Sequence, residues 1–122
     1  MSGRRIEDGR ELGAVAPMGV AVERGEGRAT VRLAGELDLA SADEAEGAFR
    51  RAQALDEPLV VVDLRELEFI DSTGLHLLIG CHERCTAAGQ RLVVVQAPGQ
   101  VRRVIELTEL GRRLEMAEAP PA

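Results

Sequence analysis

The sequence predicts an α/β domain built on a mixed, mainly parallel sheet of four to five strands. Three observations carry that expectation: a hairpin pattern near the start of the domain, two short β-branched apolar runs, and helical apolar periodicities that alternate with them. At 122 residues the chain fits one domain, large enough to close a hydrophobic core without disulfides or a structural metal.

Residues 1–17 mix Arg4, Arg5, Glu7, Asp8, Arg10 and Glu11 and read as a flexible leader, without the apolar run of a signal peptide. The domain is expected over residues 18–116. Val20 and Val22 alternate with Ala21 and Glu23, the turn cluster Arg24 to Gly27 follows, and Thr30 to Ala34 resumes an extended pattern, together a hairpin signal. After Gly35-Glu36-Leu37-Asp38, Ser41 with Glu44 three residues on has the spacing of a capping box. Ala42, Ala45, Phe49, Ala52 and Leu55 then share one helical face, which ends at Asp56-Glu57-Pro58. Leu59 to Leu64, apolar except for Asp63, predicts a strand buried on both faces. A second helix begins at Asp71 or Ser72, carries Leu75, Leu78, Ile79 and Cys85 inward, and stops at Gly89 in a left-handed cap. Arg91 to Val95 is the next buried strand. Pro98 opens a third helix as a first-turn residue, Val101, Val104, Ile105 and Leu107 form its apolar face, and Gly111 closes it. Leu114 and Met116 add a short edge strand, and residues 117–122, with paired prolines, read as a flexible tail. Strands separated by helices in this way are joined by right-handed crossovers.

Composition narrows the function. The chain carries a formal charge of -6 and has no Trp, no Tyr and only Phe49 and Phe69, so it lacks both the basic groove and the aromatic platforms on which nucleic-acid binding rests. No segment has the length and apolarity of a membrane span. A cytoplasmic setting is expected, in which Cys81 and Cys85 stay reduced. Enzyme motifs are absent. Two residues rather than one separate Asp71 from Gly74, against the aspartic-protease pattern. Ile70 stands where a nucleophile elbow around Ser72 needs Gly. The chain has no Lys for a Walker-type phosphate loop. Cys81-His82-Glu83-Arg84-Cys85 places two thiols one helical turn apart around a His, but three soft ligands fall short of a tetrahedral zinc set, and the thiols read as small buried side chains. No metal or cofactor is expected.

In open α/β sheets, partner and ligand sites gather where strands give way to helices, because backbone donors face outward there. Two such junctions stand out, Gly35-Glu36-Leu37-Asp38 and Phe69-Ile70-Asp71-Ser72-Thr73-Gly74. On physical grounds alone, Asp71, Ser72 and Thr73 read as a helix N-cap with polar neighbours.

The ordered set of Gly35-Glu36-Leu37-Asp38, Val61-Val62-Asp63-Leu64 and Phe69-Ile70-Asp71-Ser72-Thr73-Gly74-Leu75 resembles the STAS family, and within it the bacterial anti-sigma factor antagonists. The resemblance continues through Gly89, Leu92 to Val95 and Val101 to Thr108. It implies a single STAS domain with its helices in βα superhelical order. It further implies a binding protein rather than an enzyme, whose unphosphorylated form engages an anti-sigma factor that is also a serine kinase. The first hydroxyl after the motif's Asp takes the phosphate in such antagonists, which here is Ser72, with Thr73 the lesser candidate; a metal-dependent serine phosphatase reverses the change. Asp38, Asp71, Ser72, Thr73 and Gly74 are the implied partner-binding residues. Two other readings within the family are a constitutive scaffold or accessory subunit of a transporter, and a small-ligand sensor. His76, just after Gly74-Leu75, reads as an exposed helix side chain.

Overall fold

The computed structural model describes residues 18–122; the leader expected over 1–17 lies outside them. The elements are β1 (Gly19–Gly25), β2 (Arg28–Leu37), α1 (Ala42–Ala54), β3 (Leu59–Ile70), α2 (Ser72–Ala87), β4 (Arg91–Val95), α3 (Gly99–Leu107) and β5 (Met116–Ala117), with 3-10 turns at Leu39–Ser41 and Leu110–Arg113. The strands form one five-stranded sheet in the order β1-β2-β3-β4-β5. β1 and β2 are antiparallel and every other pair is parallel, so the expected mixed α/β sheet is present.

The hairpin closes through Glu26 and Gly27, both at positive φ (57° and 78°), the conformation that matches the twist of the flanking strands. β2 then runs further than expected. Gly35, Glu36 and Leu37 are strand residues rather than a loop, because register shifts between Arg32 and Ala34 and between Gly35 and Glu36 let pairing with β3 continue to Leu37 opposite Ile70. Gly35 sits at φ 94°, which an L side chain resists. β3 is likewise twelve residues long and does not stop at Leu64. Its second half alternates charged and apolar side chains, Arg65 and Glu66 exposed and Leu67 buried, which the search for an apolar run misses.

Val60, Val62 and Leu64 of β3 meet Phe49 of α1 and Leu78 of α2 in the main core, all with no exposed surface. Ala48 joins Ala45, Phe49 and Ala52 on the buried face of α1, while Ala42 and Leu55 are only half-buried. On the other sheet face Val61, Val93 and Val95 are also buried, as the apolar runs imply. α2 has its expected bounds, adds Cys81 to its buried face, and is followed by Gly89 at φ 76°.

α3 departs from expectation at both ends. Pro98 is its N-cap, in extended conformation, rather than a first-turn residue. Its last residue, Leu107, is 82% exposed instead of facing the core. Thr108, in extended conformation, stops the helix, and its hydroxyl donates to the Ile105 carbonyl (3.3 Å) and accepts from Gly111 N–H (3.2 Å). Gly111 therefore does not close α3; it lies in the following turn, so close beneath Ile105 that a Cβ would collide with that carbonyl oxygen. The short last strand forms at Met116–Ala117, opposite Val94 and Val95. Beyond it Glu118 pairs with Arg102 (2.6 Å), and Arg28 donates to the Ala122 carbonyl (3.3 Å).

Candidate partner-binding junction

The register of β2 and β3 brings the two sequence-predicted junctions together. Leu37 and Ile70 are the last paired residues of neighbouring parallel strands, so Asp38 and Asp71 leave the same sheet end side by side, at the roughly 4.8 Å spacing of adjacent strands. Both are extended and both become N-caps. Asp38 Oδ1 accepts from the N–H groups of Ala40 (3.0 Å) and Ser41 (3.3 Å), and Ser41 Oγ accepts from Asp38 N–H (3.0 Å). The capping box is thus Asp38 with Ser41, not Ser41 with Glu44. Ser41 makes no side-chain cap for α1, because its hydroxyl is already committed to Asp38 N–H and to the Glu36 carbonyl, to which it donates at 2.9 Å. Asp71 Oδ1 accepts from Gly74 N–H at 3.1 Å. Such caps typically stabilise a helix by about 1 kcal/mol.

Three further contacts hold the second junction. Asp71 N–H donates to the Leu37 carbonyl (3.4 Å), tying it to the end of β2. Gly74 is buried against the same place: a Cβ there would lie 2.7 Å from Leu37 O and 2.8 Å from Ile70 Cγ1. Close packing, not turn geometry, requires this glycine. From α3, the Gln100 side-chain amide clamps Ile70, its Oε1 accepting from Ile70 N–H (3.1 Å) and its Nε2 donating to Ile70 C=O (2.9 Å).

What remains outward is Ser72, exposed at the first position of the sixteen-residue α2, with Thr73 half-buried beside it. Among the described residues no hydrogen bond engages the Ser72 hydroxyl, whereas its carbonyl accepts from Nδ1 of the exposed His76 at 2.7 Å. Leu39, 76% exposed, follows Asp38, and Phe69, 38% exposed, precedes the Ile70-Asp71 corner. The junction therefore offers a hydroxyl at a helix N-terminus between two carboxylates and two accessible apolar side chains. The carboxylates are occupied by backbone donors, and none of the hydrogen bonds described activates the hydroxyl as a nucleophile.

Elsewhere, Asp63 lies 5% exposed in β3 under Arg65, which donates to it from Nη2 (2.7 Å), from Nε (3.0 Å) and from its backbone N–H (3.0 Å). Burial pushes the Asp63 carboxyl up, but these bonds and the charges of Arg65 and Arg32 outweigh it and hold the group below the usual carboxylate range. Cys81 and Cys85 are both fully buried; a hydrogen bond with Cys85, and then burial, push the Cys81 thiol well above its ordinary value. Among the described residues, no group of three His, Cys, Asp or Glu is placed to hold a metal ion. His82 is half-buried, and among the described residues its buried Nδ1 has no hydrogen-bond partner. No described helix is long and apolar enough to cross a membrane.

Comparison with known proteins places this arrangement. The STAS domain family model matches residues 20–119, spanning all five strands and both junctions. The chain belongs to the STAS family. Among STAS proteins it is 28% identical over 95 residues to an anti-sigma F factor antagonist of Paenibacillus polymyxa, covering 75% of this chain and 79% of the relative. It is 27% identical over 94 residues to an anti-sigma-B factor antagonist of Listeria monocytogenes, covering 77% and 82%. The crystal structure of an anti-sigma factor antagonist from Mycobacterium paratuberculosis superimposes with a TM-score of 0.77 at 31% identity, over 88% of this chain and 92% of that one. The single STAS domain expected from the motif order is thus present, with five strands and three helices.

Asp38, Asp71, Ser72, Thr73 and Gly74 lie on these two adjacent junctions, with Gly74 buried among them. Sequence reasoning missed Gln100 and Leu39, and placed Phe69 in the second junction without giving its side chain a role. Nothing in the spacing of Gln100 marks it, because its partner is a backbone thirty residues away.

Proposed function

We propose that this STAS domain is an anti-sigma factor antagonist that acts by binding, engages an anti-sigma serine kinase through the Asp38 and Ser72 junctions, and is switched off by phosphorylation of Ser72. The observation that carries the reading is the exposed Ser72 hydroxyl on a rigidly built corner: its neighbours Asp71 and Gly74 are committed to capping and packing, while Ser72 projects from the fold. The antagonist names of the relatives support the same class of partner. A phosphate at Ser72 brings roughly -1.5 to -2 charges at pH 7 to a helix N-terminus, which the macrodipole and free backbone donors accept within the free domain. In a complex the same group lies beside Asp71 and near Asp38 and must lose water against a surface shaped for a hydroxyl, which weakens binding by on the order of a hundredfold. A metal-dependent serine phosphatase restores the binding form.

The deciding experiment incubates the protein with ATP and its anti-sigma kinase, maps the product by mass spectrometry, and measures kinase affinity before and after. Phosphate on Ser72 with a large loss of affinity is expected; Ser72→Ala binds without being modified, and Ser72→Asp loses part of the affinity. Phosphate on Thr73 alone, no phosphate, or unchanged affinity after Ser72 modification overturns the switch.

A further inference from the structure

β3 outruns its partner on one side. β4 pairs with it only from Leu59 to Asp63, so among the described residues no strand pairs with the edge of β3 beyond Asp63 on the β4 side, whereas β2 accompanies it to Ile70 on the other. At the end of that overhang, Gln100 supplies what a strand would supply. One primary amide accepts from Ile70 N–H and donates to Ile70 C=O, the two bonds that the directly opposite residue of an antiparallel neighbour makes in a sheet. Pro98 in extended conformation and Gly99 at φ 71° turn the chain from β4 into α3, bringing Gln100 to this edge in the first turn of the helix. Ile70 is fully buried and stands two residues before Ser72. The acceptor corner is therefore held from β2 through Leu37 O, from its own helix through the Asp71 cap, and from α3 through Gln100.

We infer that Gln100 is a positioning residue for the Ser72 junction: its amide fixes the exit of β3 and so the orientation in which Ser72 and Asp71 are presented to the anti-sigma kinase. This rests on the reading of Ser72 as the phosphate acceptor. Gln100 acts through Ile70 and touches no transferred group. Its loss frees the corner to fluctuate, and a partner must then select the competent orientation from a wider set, which raises KM and Kd and leaves the transfer step unchanged once the complex has formed.

The test compares Gln100→Ala, Gln100→Glu and Val93→Ala, the last a buried site on the sheet face away from the main core, chosen to lower Tm without touching the junction. Native-state hydrogen exchange of the Ile70 amide needs no partner. It should quicken by about tenfold in Gln100→Ala relative to Val93→Ala, and by less in Gln100→Glu, which keeps the acceptor for Ile70 N–H. With the anti-sigma kinase and ATP, Gln100→Ala should raise KM for phosphate transfer by roughly five- to tenfold with kcat within about twofold, Gln100→Glu should be intermediate, and Val93→Ala should leave KM as in the wild type. Unchanged exchange at Ile70, or a KM that rises equally in Val93→Ala, overturns the inference. A wild-type protein that the kinase never modifies at Ser72 overturns the proposed function instead, and the exchange result then decides by itself whether Gln100 holds the corner.

Discussion

At the scale of single residues, the junction is built from side chains whose atoms are spent on the backbone. Gly74 shows how little room is left: any Cβ meets a carbonyl oxygen of β2 and the Ile70 side chain at once, and neither end is a flexible tip. Gly74→Ala should cost about 1–3 kcal/mol through overpacking, seen as a lower midpoint in urea unfolding. If the substitution proved neutral, the close approach of α2 to the end of β2 would be wrong. Asp63 makes a different kind of prediction. Its carboxyl is held below the usual range in the folded state, so its contribution to stability is fully present above the unfolded value of about 3.9 and is lost as pH falls through the lower folded value. Asp63→Asn should therefore be less stable than the wild type at neutral pH, and the gap should narrow as pH falls below the unfolded value and through the lower folded one; a gap that stays constant through that acid range would show that the loss is one of packing rather than charge.

Among the elements, α2 carries both the exposed Ser72 and much of the core. Its inner face of Leu75, Leu78, Ile79, Cys81 and Cys85 lies on the sheet while Ser72 faces outward at its start. Leu78 has no exposed surface, so Leu78→Asp places an unpaired charge in the core, and its cost of several kcal/mol is comparable with the whole stability of a domain this size. Circular dichroism should show no cooperative melt; a variant melting within a few degrees of the wild type would refute the packing of this helix. The same elements show what the sequence made legible. β4 and α2 follow from apolar runs and helical spacing because burial on one or both faces leaves a periodic trace. The second halves of β2 and β3 leave none: Gly35 and Glu36 form a bulged strand, and Arg65, Glu66 and Glu68 alternate with buried residues at a rim that faces solvent. The capping box was displaced from Ser41 to Asp38 because the longer β2 delivers Asp38, not Ser41, to the first free helical donors. Leu107 fits the helical phase of α3, but the helix ends there and the phase alone does not tell that no described element covers it.

For the molecule as a whole, the motif order identified the family and the placement of Ser72, since a parallel register between β2 and β3 was enough to bring Asp38 and Asp71 together. The amide clamp of Gln100 was out of reach, because it depends on β4 ending seven residues before β3 does and on α3 turning back to fill the gap. One feature of the sheet bears on how the protein is made. Its strands lie side by side in the order in which they occur along the chain. Each new strand therefore docks on the one before it, and the paired residues are at most 33 positions apart, at Leu37 opposite Ile70 and Glu36 opposite Phe69. Parallel sheets whose strand order is shuffled must leave an inner slot open until a later segment returns to fill it. Here every βα unit after the hairpin extends the sheet outward from the strand before it, which keeps loop-closure entropy small at each step and leaves no inner slot waiting for a later segment.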